Sequence, residues 1–123
     1  MPGTVTLTSH LDARKGNVGK AVINWTSDSA GDADGLSIPF NGNIRRVVTK
    51  PGSSGDAPSV DYDIALDDED GADVMAGGLI DRHTSSTESV VPTHDTAVYA
   101  GLLLPVISNA GNVKKGKITI YYD

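Results

Sequence analysis

The sequence has no cysteine, which excludes disulfides, thiolate nucleophiles and cysteine-ligated zinc and leaves the redox compartment open. Aromatic residues make up only 5% of its 123 residues, with a single tryptophan and a single phenylalanine, so little material exists for stacking platforms. Long apolar runs are missing as well. The longest, Ala97 to Ile107, is interrupted by Tyr99, Gly101 and Pro105, falls well short of the roughly 20 residues a spanning helix needs, and reads as a buried strand pair. Basic residues are also scarce: ten Lys and Arg against sixteen Asp and Glu give a net charge of -6, which repels a phosphate backbone. Neither nucleic acid nor a membrane is an expected partner. The first residues, Met1 to Thr8, carry no basic region followed by an apolar stretch, so no secretory signal and synthesis in the cytoplasm are expected.

What is present is a strand pattern. Apolar residues recur with a period of two, which places alternate side chains on opposite faces of a pleated strand. Val5 and Leu7 alternate with threonines; Val18 to Thr26 places Ala21, Ile23 and Trp25 on one face; Ile44 to Lys50 centres on Val47 and Val48. Val60, Tyr62, Ile64 and Leu66 alternate with Asp61, Asp63, Ala65 and Asp67, predicting a strand with one dry and one wet face. Asp70-Gly71 predicts a hairpin turn with a return strand over Ala72 to Ala76. Ser89 to Val91, Val98 to Val106 and Lys117 to Tyr122 supply the remaining strands, and Asp73 to Arg82 has room for one short helical turn. Gly, Pro, Ser and Asp gather in the connections, as in an antiparallel β-sandwich or small β-barrel. The expected fold is therefore all-β, one domain over residues 1–123, with little helix and with residues 1–10 as an edge strand or an N-terminal arm.

Candidate chemistry is thin. The acidic run Asp67 to Asp70 has the oxygen ligands calcium favours, but aligning Gly71 with the glycine of a helix-loop-helix site puts Leu66 and Gly77 at ligand positions. Asp32 to Gly35 fails in the same way, with Ala30 first and Asn41 last. Both read as solvated turns. His10, His83 and His94 lie in no zinc spacing and are expected in exposed loops; Gly16 to Lys20 departs from a phosphate-binding loop at Arg14 and Ala21; no Gly-x-Ser-x-Gly elbow is present. No catalytic, metal or cofactor residues are assigned, and an enzyme is not expected. Trp25 is expected in the core, and Asn24-Trp25-Thr26 matches a glycosylation acceptor by chance.

Arg45-Arg46 and Lys114-Lys115-Gly116-Lys117 are the basic clusters of an acidic chain. Adjacent strand residues point to opposite faces, so at least one of Arg45 and Arg46 is expected to be available to an acidic partner. Together with the terminal segment Thr4, Val5, Thr6, Leu7 and Thr8, which can pair along a neighbour's strand, they form the candidate partner interface.

Three stretches add a family likeness. Asn24 to Asp28; Gly42 to Pro51 with Tyr62 to Ile64 and Asp68 to Val74; and Ser108 to Gly111 resemble, in this order, small structural proteins encoded among the head and tail genes of tailed bacteriophages. The resemblance implies a β-sandwich-like virion protein without catalytic residues. Its implied role is decoration of the capsid exterior, with the major capsid protein as partner and a homotrimer as one arrangement; a tail or head-to-tail connector protein is the next reading. A carbohydrate-binding module using Trp25, Tyr62, Tyr99 or Tyr121 is the alternative from a different class.

Overall fold

In the computed structural model, which describes residues 3–11, 18–92 and 98–123, the chain forms one curled antiparallel sheet, a half-barrel, with no α-helix among the described residues. Among the described residues seven strands follow one another: β1 (Thr4–Leu11), β2 (Gly19–Thr26), β3 (Ile38–Pro51), β4 (Asp63–Asp67), β5 (Glu88–Val90), β6 (Val98–Ser108) and β7 (Lys115–Tyr122). Their spatial order is β1-β2-β7-β3-β6-β4, with β5 beside β3.

The curl originates in β3. Its first half pairs with β6, from Ile38 opposite Leu103 to Asn43 opposite Val98, and its second half pairs with β7 and β5. Between them the register against β7 shifts at Arg45, an extra residue that bends the strand. Inward-facing positions consequently pass from even numbers, with Ile38, Phe40 and Ile44 buried, to odd ones, with Val47 and Thr49 buried. The concave side of the sheet holds the core: Ala21, Ile23 and Trp25 of β2, Ile118 and Ile120 of β7, Ile64 and Leu66 of β4, Leu103 and Ile107 of β6, closed over by Met75 and Leu79.

Trp25 is in the core as expected, 2% exposed and packed 5.6 Å from the Tyr62 ring. Its ring lies over Gly116, the residue opposite it on β7; a Cβ there would fall 2.4 Å from the indole. Gly116 is thus a strand glycine kept so that a large ring can cover the backbone.

Several expected elements differ. β3 begins at Ile38 rather than Ile44, because Pro39 and Asn41 occupy exposed positions between buried Ile38 and Phe40 and so conceal a strand among turn-type residues. The strand expected from Val60 begins at Asp63: Asp61 takes a φ of 61°, which ends the pleat, and Val60 is 71% exposed. The return strand over Ala72 to Ala76 does not form. Asp73 accepts the backbone N–H groups of Leu66 and Met75 through Oδ1 and of Gly77 through Oδ2, at 3.1, 3.0 and 2.9 Å, curling the chain into turns after a single bridge to Asp67. No helical turn forms over 73–82; a short 3₁₀ turn occurs at Ser54–Asp56 instead. The expected strand pair over Ala97 to Ile107 is one strand, β6, which runs through Gly101 and Pro105.

Gly116→Val drives a branched side chain into the indole and should destabilise the fold by about 2 kcal/mol or more. Gly55, whose added Cβ would meet nothing within 4 Å, should accept alanine with a change below about 0.5 kcal/mol. Denaturant midpoints of the two variants check the contrast.

Candidate interaction surface

The terminal segment is an edge strand rather than an arm. β1 pairs with β2 from Thr4 opposite Thr26 to Leu11 opposite Lys20, with an irregularity at Thr8, and among the described residues it has no other strand neighbour. The Val5 side chain is buried and that of Leu7 packs against the core. Thr4, Thr6 and Thr8 point outward. The Thr6 and Thr8 hydroxyls reach the Asn24 and Val22 carbonyls at 3.4 and 3.2 Å, and the Asn24 amide donates to Thr8 Oγ1 at 2.9 Å.

Arg45 and Arg46 are both exposed, against the alternation rule, because Arg45 is the extra residue of the β3 irregularity. They have separate fates. The Arg45 guanidinium lies 3.0 Å from the Asp123 carboxylate, while that of Arg46 lies 4.5 Å from the centre of the Tyr121 ring.

Arg46 belongs to a larger arrangement on the convex face. Cross-strand register puts Lys20, Tyr121 and Arg46 in one row, Val22, Thr119 and Val48 in the next, Asn24, Lys117 and Lys50 in a third, and Thr26 with Lys115 in a fourth. Thr4, Thr6 and Thr8 continue this face onto β1. Five cations therefore share one side of β2, β7 and β3, while none of those four rows contains an Asp or Glu. Lys50 and Lys117 stand directly opposite each other, an arrangement that costs energy. Among the described residues none of the five forms an ion pair; the pairs present are Arg45–Asp123 and Arg82–Glu88. A shallow groove of about 320 Å³ runs beside Lys50, Lys115 and Lys117, and its lining has one carboxylate, Asp56. Lys114 reaches elsewhere, donating to the Gly55 carbonyl at 2.9 Å.

Sequence reasoning identified Arg46 and the 114–117 run but missed Lys20 and Lys50. The signal existed: both lysines occupy the positions alternate to the buried residues of their strands, in step with Asn24 and with Arg46.

The acidic loops serve the backbone. Asp28 and Asp68 make the same turn twice: Oδ1 accepts N–H two and four residues on, at 2.8 and 3.0 Å for Asp28 and at 2.8 and 2.9 Å for Asp68. In each, a glycine three residues on has positive φ, 88° at Gly31 and 85° at Gly71. Backbone N–H donation, first from Asp32, holds the Asp28 carboxyl below the usual carboxylate value. Asp67 is displaced the other way, raised by burial and then by the neighbouring Asp73 and Asp68 charges. Among the described residues no group of three His, Asp or Glu is placed to hold a metal ion.

His10 is a strand residue, not a loop one, with Nε2 2.7 Å from the Tyr122 hydroxyl; His83 does lie in a loop, where Nδ1 accepts the N–H of Ser85 and Ser86 at 3.0 and 2.9 Å. His94 lies outside the described residues. Of the aromatics named for sugar stacking, Trp25 and Tyr62 are buried, the Tyr62 hydroxyl pushed up to about 12 by burial, and Tyr121 lies under Arg46. The Tyr99 side chain lies outside the description. A mixed groove of about 730 Å³ at the end of the half-barrel is lined by residues that include Phe40, Leu102, Glu69 and His10.

The loops that follow β2 and β6 meet in space. Ser27 Oγ donates to the Gly111 carbonyl at 2.7 Å and accepts the Lys114 N–H at 2.8 Å, while the Ala110 N–H donates to the Gly31 carbonyl at 3.0 Å. The turn after β4 closes in a similar manner, the Val74 N–H donating to the Leu66 carbonyl at 2.9 Å.

No family model and no curated protein matches the chain. Among solved structures it is similar to a chain of "Cyanophage Pam1 capsid asymmetric unit", at 16% identity and a TM-score of 0.42, covering 86% of this chain and 83% of that one. A second similarity is to a chain described under "Structural basis for the promiscuous specificity of the carbohydrate-binding modules from the beta-sandwich super family", at 12% identity and a TM-score of 0.32, covering 98% of this chain and 53% of that one. No residue role is carried over from either.

Because the folded state holds the Asp67 proton more tightly than the unfolded chain, the ionised group opposes folding above its raised pKa and stops doing so as pH falls through it. Asp67→Asn should therefore raise the unfolding midpoint at pH 7, with the gain vanishing in acid below the ordinary carboxylate value. Asp73→Ala, which strips three backbone N–H groups of their acceptor, should cost about 2 kcal/mol. Thermal melts of both variants across pH check the pair.

Proposed function

We infer that the chain is a structural protein of a bacteriophage virion that decorates the capsid exterior by binding the major capsid protein, and that it acts by association without catalysis. The observation that supports this most is that the separated stretches resembling phage head and tail proteins adjoin one another, Ser27 of the first donating to the Gly111 carbonyl of the third and Asp63 of the second standing opposite Ser108 of the third. Ser27, Gly31, Ala110 and Gly111 lock two loops together. The remaining architecture suits the role: a half-barrel with an edge strand and a broad polar face can associate by strand addition or through that face, and many identical copies make weak contacts collectively strong. A trimer around a local three-fold position is one arrangement compatible with this, and a tail or connector station is the neighbouring reading.

Particles assembled without the protein should lose infectivity or DNA retention at lower temperature, or after milder osmotic shock, than particles carrying it. Adding purified protein back should restore resistance. Identical resistance with and without it would refute capsid reinforcement.

A further inference from the structure

We propose that the convex face of β2, β7 and β3 is the docking surface, and that its occupant is a carboxylate-rich face of a partner protein. This rests on the reading of the chain as a binding protein and specifies the chemistry of what it binds.

A chain with a net charge of -6 has ten Lys and Arg, of which Lys20, Arg46, Lys50, Lys115 and Lys117 lie on one face of three adjacent strands. The four rows that hold them contain no carboxylate. Residues on such a face are separated by about 4.8 Å between strands and about 6.6 Å along them, so the cations repel one another within a Debye length. The opposition of Lys50 and Lys117 is the extreme case. An isolated domain gains nothing from this arrangement, since exposed lysines are normally spaced among acids, whereas an incoming anionic surface relieves it.

The geometry favours protein carboxylates over nucleic acid. Four of the five cations are lysines, point charges without the planar fork that recognises phosphate in two directions, and the one guanidinium is stacked on Tyr121. Phosphate chains extend beyond one face and would meet the remaining surface, whose excess negative charge repels them. A compact protein surface meets the basic side alone. Between the cations stand Asn24, Thr26, Val22 and Val48, neutral side chains suited to close approach. The face is convex and sheet-like, roughly 20 Å along the strands, and matches a broad acidic surface better than a narrow ligand.

The test uses the full chain and the triple variant Lys20→Gln, Lys50→Gln, Lys117→Gln, with Arg82→Gln as a control cation away from the face. Retention on immobilised poly-L-glutamate is measured against salt, beside retention on double-stranded DNA. Wild type should bind polyglutamate in a salt-dependent manner, the triple variant about tenfold more weakly, and Arg82→Gln as wild type does. The triple variant should also melt no lower than wild type, since it removes a repulsion. Equal retention of triple variant and wild type, or tighter retention on DNA than on polyglutamate at the same salt, overturns the proposal. This assay uses no particles, so it judges the face separately from capsid decoration. In a binding assay on particles lacking the protein, undiminished binding by the triple variant would overturn the face and leave decoration standing.

Discussion

Every other strand takes its position from the bend in β3. This strand of fourteen residues contributes to three ladders, with β6 along its first half and with β7 and β5 along its second, and the extra residue at Arg45 turns the sheet between the halves. A straight β3 would keep one side chain parity throughout, sending either Phe40 or Val47 out of the core. With the bend, both are buried, and β6 with β4 folds back over the face that β2 and β7 present. The same extra residue puts Arg45 and Arg46 on the surface together, so the device that curls the sheet also helps shape its outside.

The loops are as determined as the strands. Asp28 and Asp68 each collect backbone N–H groups into a tight turn whose glycine takes positive φ, and Asp73 does similar work for the chain leaving β4. Carboxylates that give the chain its acidic balance are in these cases substitutes for secondary structure.

Much of the fold could be read from the residues. Period-two alternation located β2, β7, the second half of β3 and the core position of Trp25, because burial on one face of a sheet imposes that rhythm directly. Three features escaped for physical reasons. Pro39, Asn41 and Gly42 look like a turn until β6 is known to lie beside them. The diversion of Ala72 to Ala76 depends on an Asp73 side chain replacing a ladder bond, which composition does not reveal. The bend at Arg45 breaks the rule that adjacent residues face opposite ways. For the surface, Arg46 and the outward threonines of β1 were legible singly, whereas their union with Lys20, Lys50 and Lys117 depends on the register of four strands, a tertiary fact.

Among the described residues the five cations of the convex face form no ion pair, and the proposed partner is a surface that supplies their counter-charges. Zero-length coupling of amines to carboxylates in intact particles, followed by mass spectrometry of the linked peptides, tests this most directly, because it records only lysines in contact with acids. Lys20, Lys50 and Lys117 should be found joined to Asp or Glu of a neighbouring capsid subunit. Linkages confined to lysines off the convex face, with these three left unmodified, would contradict it.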